Sequence, residues 1–197
     1  MDYHIKAWYN ILTGLGATLT MERMKEECYG KNDEILERIF PGRFTAEEKK
    51  NMSRQKEEVY QNEFRPHLKL IKGLGDFLQQ YHQKHIKMAV ASAAIMFNVD
   101  FVLDGLNIRH YFDALVSADE VNNSKPDPET FEKAAELLGV TPRNCIVFED
   151  NPNGVEAAAR AGMRCVVITT MHTPEEFSGT DNVLFFVADY NDKRLYE

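Results

Sequence analysis

The stretch CIVFEDNPNGVEAAARAG, residues 145–162, joins a short apolar run to two adjacent acids and a helix-like segment. Residues 146–148 are apolar and predict a buried strand, which ends on Glu149 and Asp150. Two carboxylates at the lip of an apolar strand repel each other and lose hydration, so such a pair needs a cation or a solvated loop. The stretch therefore predicts a strand-to-helix turn with an acidic pair at its edge.

The rest of the chain from about residue 70 repeats this alternation of helix-like segments and short apolar runs. The predicted strands lie in IKMAVAS, FDALVSA, CIVFE, CVVITT and NVLFFVA. Helices between strands predict a parallel sheet covered on both faces, with ligands beyond the carboxyl ends of the strands. Residues 1–69 read as helices only, so we expect an α/β protein with a helical domain at 1–69 and an α/β core at 70–197.

Two helix starts in the N-terminal third carry capping signals. Thr45 is followed three residues later by Glu48, which is the capping-box pattern. Asn32 precedes the apolar positions of NDEILERIF and is a plausible N-cap.

Composition limits the classes of function. Of the 197 residues, 44% are hydrophobic and 27% charged, as in an ordinary globular protein, and the net charge of −8 argues against nucleic acid or an anionic membrane as the main partner. The three cysteines are scattered without metal-ligand spacing and favour reduced thiols. No apolar run approaches the ~18 residues of a membrane span. We expect a cytoplasmic protein that is a monomer or a weak dimer.

Polar residues follow three of the predicted strands. Ser92 ends KMAVAS and precedes the small Ala93, Lys125 lies in the proline-rich loop NNSKPDPETF, and Glu149 and Asp150 end the third run, CIVFE. Because the carboxyl ends of parallel strands share one edge, these groups should converge. Amides and the lysine would hold phosphate oxygens, and the carboxylates would hold a hard cation such as Mg²⁺.

Each of these residues also has a plainer interpretation. Ser92 could simply end a strand, and Lys125 could be a solvated loop lysine. Glu149 and Asp150 could cap the following helix, whose N-terminus favours acids. The occurrence of all four residues at one predicted edge favours the binding site.

The order Ser92, then SKPDP with Lys125, then ED with Glu149 and Asp150 resembles the haloacid dehalogenase-like (HAD) phosphotransferases, in particular their β-phosphoglucomutase-like subgroup. The helical third is similar to that family's cap domain, and YHIKAW looks like the start of the first cap helix. The resemblance covers essentially the whole chain. It implies a Rossmann-like core, Mg²⁺ held by Glu149 and Asp150, and phosphate held by Ser92, Ala93 and Lys125.

The resemblance also implies that two cap residues face the substrate. His4 lies in YHIKAW, although with Trp8 it could be plain helix packing. Lys56 lies in QKEEVY, which is similar to the cap segment that bears a substrate-facing lysine, although a solvated helix face is the default for a charged helix.

The family's first motif is an Asp-x-Asp at the end of the central strand, where the leading Asp attacks phosphorus and the second moves the proton. By the family pattern it falls roughly ten to twelve residues before YHIKAW, which begins at Tyr3, and no Asp-x-Asp occurs anywhere in the 197 residues. Asp189 and Asp192 are the nearest imitation but match the family's last strand. Without the central strand, which lies between the strands ending at Ser92 and Glu149, we expect these residues to fold poorly or to borrow a strand from elsewhere.

The substrate is less well defined by the sequence. The mutases of the subgroup follow the cap glycine with an arginine, whereas here Gly30 precedes Lys31 and no arginine occurs before Arg38. They also carry polar residues where this chain has Ala94 and Ile95. We expect a phosphatase acting on a small phosphorylated metabolite such as a sugar phosphate. The alternatives are a hexose-phosphate mutase and, in another class, a non-catalytic phosphate- or metabolite-binding protein or an inactive fragment.

Overall fold

The computed structural model describes residues 2–28, 30–177, 179 and 181–197. The chain divides into two compact units, residues 1–68 and 69–197. Within the described ranges, no helix is both long and apolar enough to pass through a membrane.

The first unit is built from helices. They are α1 (Asp2–Gly14), α2 (Met21–Glu27), α3 (Asn32–Ile39) and α4 (Ala46–Phe64). The short α2 was not predicted; its N-cap Thr20 accepts a hydrogen bond from the Arg23 amide at 3.2 Å. The capping box that begins α4 is confirmed, because the Thr45 amide donates to Glu48 Oε2 at 2.8 Å and the Glu48 amide donates to Thr45 Oγ1 at 3.3 Å.

The capping role predicted for Asn32 is wrong. Helix α3 starts at Asn32 itself, and the preceding Lys31 takes the N-cap position, where its amide donates to Glu34 Oε2 at 2.9 Å. The Asn32 side chain is used instead for a hydrogen bond to Glu57 of α4. The core of the unit is formed by Ile5, Trp8 and Leu12, which share one face of α1 at helical spacing and pack with residues of α2 and α3.

The second unit contains the five predicted strands with helices between them. The strands are β1 (Ala89–Ala91), β2 (Ala114–Val116), β3 (Ile146–Glu149), β4 (Arg164–Ile168) and β5 (Val183–Val187). The helices are α5 (Leu74–Gln83), α6 (Met96–Gly105), α7 (Glu129–Leu138) and α8 (Pro152–Arg160). Every strand pairing is parallel, which confirms the predicted α/β class.

Strand β4 shows how both faces of the sheet are covered. Cys165 and Val167 pack on the side of α7 and α8, whereas Val166 and Ile168 pack on the side of Phe77 in α5. Because successive side chains of a strand point to opposite faces, a strand that is covered on both faces needs consecutive apolar residues, as in the four residues from Cys165 to Ile168.

The described strands form two separate hydrogen-bonded sheets. One has the order β1-β2 and the other β3-β4-β5. Among the described residues no strand bridges β1 and β3, the two strands between which the family's central strand is expected. A strand borrowed from elsewhere in the chain is therefore not observed.

Candidate functional site

Lys125 contacts the carboxyl ends of both β1 and β3. Its Nζ is 2.5 Å from Glu149 Oε1 and 3.3 Å from the Ala91 carbonyl oxygen, and it lies 4.2 Å from the centroid of the Phe131 ring. The side chains of Lys125 and Glu149 are each only 11% exposed. Lys125 is therefore not a solvated loop lysine, and it links the ends of the two sheets.

Glu149 is fixed at both carboxylate oxygens. While Oε1 accepts from Lys125, Oε2 accepts from the backbone amides of Asp150 at 2.9 Å and Asn151 at 3.1 Å. This side chain passes so close to α8 that a Cβ on Gly154 would lie 2.0 Å from Glu149 Oε1. Gly154 is thus needed for the position of Glu149. The signal in the sequence that could have shown this is a glycine in the first turn of the helix that follows the acidic pair.

Asp150 takes a different direction from Glu149. Its Oδ2 accepts a hydrogen bond at 2.9 Å from the hydroxyl of Thr170, which follows β4. Burial, together with the negative charge of Asp150, raises the pKa of Tyr190 to about 12. Sequence reasoning missed Thr170 because nothing in its spacing connects it with a carboxylate twenty residues earlier.

Ser92 closes the turn after β1. Its amide donates to the Val116 carbonyl at 2.8 Å, and its Oγ accepts from the Ala94 amide at 3.0 Å. The next residue, Ala93, is exposed. Ser92 comes directly after Ala91, whose carbonyl Lys125 contacts, so the predicted serine and lysine are brought to the same end of β1.

The two predicted residues of the helical unit, the buried Lys56 and the half-buried His4, lie in one polar cluster. Lys56 Nζ is 2.7 Å from His4 Nδ1 and 2.8 Å from Glu57 Oε1. Lys56 is 3% exposed, so its interpretation as a solvated helix residue is wrong. The His4 ring stacks on Tyr60 with centroids 3.7 Å apart. The structure therefore joins His4 and Lys56, although they are 52 residues apart in sequence.

The protonation of this cluster follows from its burial. Burial lowers the pKa of His4 from 6.5 to about 4, and the Lys56 ammonium adds to the effect. Near neutral pH the imidazole is therefore uncharged, and Nδ1 accepts a hydrogen bond from Lys56. Burial also lowers the pKa of Lys56, while Glu57 opposes that change.

Comparison with known proteins identifies the family. The family model described as "Haloacid dehalogenase-like hydrolase" matches residues 3–168, which is most of the chain. The chain belongs to the haloacid dehalogenase-like hydrolase family. The resemblance drawn from the SKPDP and FEDN segments is confirmed.

Curated relatives of this HAD-family chain include two phosphatases. It is 36% identical over 114 residues to validoxylamine A 7'-phosphate phosphatase of Streptomyces hygroscopicus subsp. limoneus, a match that covers 58% of this chain and 54% of the relative. It is 42% identical over 93 residues to fructose-1-phosphate phosphatase of Escherichia coli, covering 47% of this chain and 49% of the relative. These matches span about half the length of the curated relatives.

A solved structure of the β-phosphoglucomutase of Clostridium difficile has the same fold. The two share 27% sequence identity and superpose with a TM-score of 0.80, over 96% of this chain and 85% of the other. The HAD-like, Rossmann-like α/β fold is therefore confirmed for this chain.

The residues at the strand ends can be tested for their fit to Mg²⁺, the metal ion that HAD phosphatases generally use. Carboxylate oxygens at a strand end are donors of the type that Mg²⁺ prefers, and Asp150 and Glu149 provide them. Among the described residues, however, no group of three or more His, Cys, Asp or Glu side chains lies together as a metal cluster. Because Glu149 is bound to Lys125 and to two amides, its carboxylate is less available to a metal ion than that of Asp150.

Proposed function

We propose that this chain carries the phosphate-binding site and part of the metal site of a Mg²⁺-dependent HAD phosphatase that acts on a small phosphorylated metabolite such as a sugar phosphate. One observation carries the proposal. Lys125 is held by Glu149 at the end of β3 and contacts the end of β1 at Ala91, next to the turn formed by Ser92. In parallel sheets this edge is the place where ligands bind. The phosphatases among its relatives favour the same reaction class.

Each residue has a proposed task in that reaction. The Lys125 ammonium attracts the phosphate oxygens, and Glu149 keeps it aimed at the strand ends. The Ser92 hydroxyl and the Ala93 amide donate to other phosphate oxygens. Asp150, assisted by Glu149, holds Mg²⁺, which when bound stabilises negative charge on the phosphate. In this proposal the helical unit, residues 1–69, is the cap, and His4 and Lys56 contact the substrate.

The transfer step itself requires a carboxylate nucleophile. The 197 residues contain no Asp-x-Asp, and the carboxylates proposed at the strand ends are already used for Lys125 and for the metal. We therefore expect these residues on their own to bind phosphate without forming a covalent phosphoenzyme and without turning over esters.

The experiment compares the 197 residues with a form extended upstream. Binding of inorganic phosphate with Mg²⁺ is measured by calorimetry, and phosphate release is measured from a panel of sugar phosphates and p-nitrophenyl phosphate. Lys125→Ala should abolish phosphate binding and lower turnover of the extended form about 10²- to 10³-fold, as for other charge-stabilising groups. Lys84→Ala is the matched control, because Lys84 is exposed in the same unit.

Two results would contradict the proposal. Unchanged phosphate binding in Lys125→Ala would remove Lys125 from the site, and robust turnover by the 197 residues alone would show that the nucleophile lies elsewhere in this sequence. Tight phosphate binding without turnover in either form would instead favour the non-catalytic binding protein.

A mutase is the second candidate, because of the likeness to β-phosphoglucomutase. A mutase must hold a second phosphate, and the nearest arginine after Gly30 is already engaged, since Arg38 Nη1 donates to the Glu27 carbonyl at 2.5 Å. Conversion of glucose 1-phosphate to glucose 6-phosphate, rather than release of phosphate, would decide for the mutase.

A further inference from the structure

Glu57 is a buried carboxylate that no sequence motif singled out. It is 3% exposed, and its Oε1 accepts hydrogen bonds from Lys56 Nζ and from Asn32 Nδ2, each at 2.8 Å. Its Oε2 lies 3.7 Å from His4 Nδ1. Side chains of α1, α3 and α4 thus meet at one carboxylate. Adjacent residues of a helix do not normally face each other. Lys56 and Glu57 do so here, where His4 contacts Lys56 and Asn32 contacts Glu57.

The charge balance of this cluster depends on Glu57. His4 from α1 is uncharged near pH 7, since burial holds its pKa near 4. Burial also raises the pKa of the Cys28 thiol, after α2, to about 11 and raises that of Tyr60 on α4, so both stay protonated. Arg38 of α3 and Glu27 of α2 also act on the Cys28 thiol, but they carry opposite charges and lie 4.0 Å apart, from Nε to Oε2. Glu57 is therefore the negative group that directly balances the Lys56 ammonium.

The donors of Lys56 are not all used by this cluster. Of its three N–H groups, one faces His4 Nδ1 and one faces Glu57 Oε1. No third acceptor contacts Nζ among the residues that the structure describes. The cluster reaches the surface of the helical unit at His4, whose side chain is 32% exposed.

We propose that Glu57 is a positioning residue: it keeps Lys56 as a fixed, charged ammonium whose remaining N–H binds an oxygen of the substrate beside His4. Asn32 supports it by fixing the carboxylate oxygen that Lys56 contacts. The substrate group would be a hydroxyl or an anionic oxygen of a phosphorylated metabolite, so this assignment rests on the proposed function. In this proposal the negative charge of Glu57, and not only the volume of its side chain, keeps Lys56 protonated.

The test follows the protonation of Lys56 by NMR in protein carrying ¹³C-labelled lysine, with the signal assigned from Lys56→Met. In the wild type, Lys56 should stay protonated at pH 7.5. Glu57→Gln keeps the shape but removes the opposite charge, and an opposite charge at this distance changes a pKa by about 1–3. The unprotonated fraction of Lys56 should therefore rise at least about ten-fold at a given pH. Glu58→Gln is the matched control, because Glu58 is the next residue of α4 and its side chain is 52% exposed.

Several outcomes decide the question. A wild-type Lys56 that is unprotonated at pH 7.5 overturns the proposal, as does a Glu57→Gln titration that matches Glu58→Gln. If Glu57→Gln does not fold, Glu57→Asp replaces it, because the shorter side chain withdraws the carboxylate while keeping the charge, and a smaller change in the same direction is expected.

A second readout concerns specificity. In the extended form, Glu57→Gln should raise the KM for a sugar phosphate more than the KM for p-nitrophenyl phosphate, and Glu58→Gln should raise neither. Equal effects on both esters would contradict the positioning role. If the wild type turns over no ester, the proposed function fails, while the NMR titration still decides whether Glu57 keeps Lys56 charged.

Discussion

Replacing Gly154 with alanine tests whether the position of Glu149 depends on the absence of a side chain at this position of α8. An alanine Cβ at this position would lie 2.0 Å from Glu149 Oε1 and 2.1 Å from its Cδ, distances that real contacts do not allow. Since Gly154 is the third residue of α8, the helix backbone holds the new methyl group in place. The carboxylate must then move away from Lys125 Nζ, now 2.5 Å distant.

The magnitude comes from two opposing effects. Loss of the charged hydrogen bond between Lys125 and Glu149 costs about 1.5–3 kcal/mol. Glycine to alanine within a helix stabilises by up to about 1 kcal/mol. We expect Gly154→Ala to lower the free energy of unfolding by about 0.5–2 kcal/mol, which corresponds to a fall in Tm of roughly 1–8 °C for a chain of this size.

The assay is urea unfolding followed by far-UV circular dichroism, because the only tryptophan, Trp8, lies in the other unit. Gly75→Ala is the matched control: it lies in the first turn of α5, and a Cβ there would be 3.5 Å from Leu70 Cδ1, an ordinary contact. It should be neutral or stabilising.

A double-mutant cycle isolates the contact. In a Glu149→Ala background the obstacle is gone, so Gly154→Ala should no longer destabilise the protein, and the two changes should couple by about 1–3 kcal/mol. Additive effects, or a Gly154→Ala variant as stable as Gly75→Ala, would refute the close approach of Glu149 to α8.

Three further predictions concern the metal, the pH dependence and the thiols. Asp150→Ala should abolish any Mg²⁺-dependent rise in Tm, and an unchanged rise would exclude Asp150 as a ligand. The pKa of His4 is about 4 in the folded chain and 6.5 otherwise, so the unfolded state binds more protons between these values. The stability of the helical unit should therefore fall as the pH drops from about 6.5 to 4. His4→Asn should weaken this pH dependence, measured as the urea midpoint of unfolding followed by Trp8 fluorescence. An equal pH dependence in the variant and the wild type would contradict the lowered pKa of His4. Burial raises the pKa of Cys28 to about 11 and of Cys165 to about 12, so both should react with a thiol reagent at pH 8 far more slowly in the folded than in the unfolded protein, and equal rates would refute their burial.

The strands could be predicted because each is a short apolar run bounded by polar or turn residues. That pattern is decided locally, and it placed Ser92, Lys125 and Glu149 at one edge without knowledge of any contact. Lys125 and Glu149 do meet there. The direction of each side chain could not be predicted in the same way, since Glu149 turns toward Lys125 while the adjacent Asp150 turns toward Thr170.

The cluster around Lys56 shows where sequence reasoning fails. Helical spacing predicts contacts between residues three or four apart on one helix, and by that rule Lys56 and Glu57 point to different neighbours. Their contact arises because Asn32 of α3 and His4 of α1 approach α4 at that point. Asn32 appeared to be a cap because its residue type favours caps, yet a buried carboxylate nearby competes for the same side chain.

The charges at the strand ends connect the proposed metal and phosphate sites. Glu149 and Asp150 together outweigh the single ammonium of Lys125, and Glu149 already pairs with that ammonium at 2.5 Å. Without a metal ion the edge is therefore net negative, as is the whole chain with its charge of −8. A phosphate dianion would meet little attraction there, since each unit charge at about 4 Å contributes about 4 kcal/mol near a protein surface, in either direction. On the proposed function, a divalent cation on Asp150 would reverse the sign of this edge and leave Lys125 to attract phosphate. On the proposed function, the pairing of Lys125 with Glu149 thus makes phosphate binding dependent on the metal.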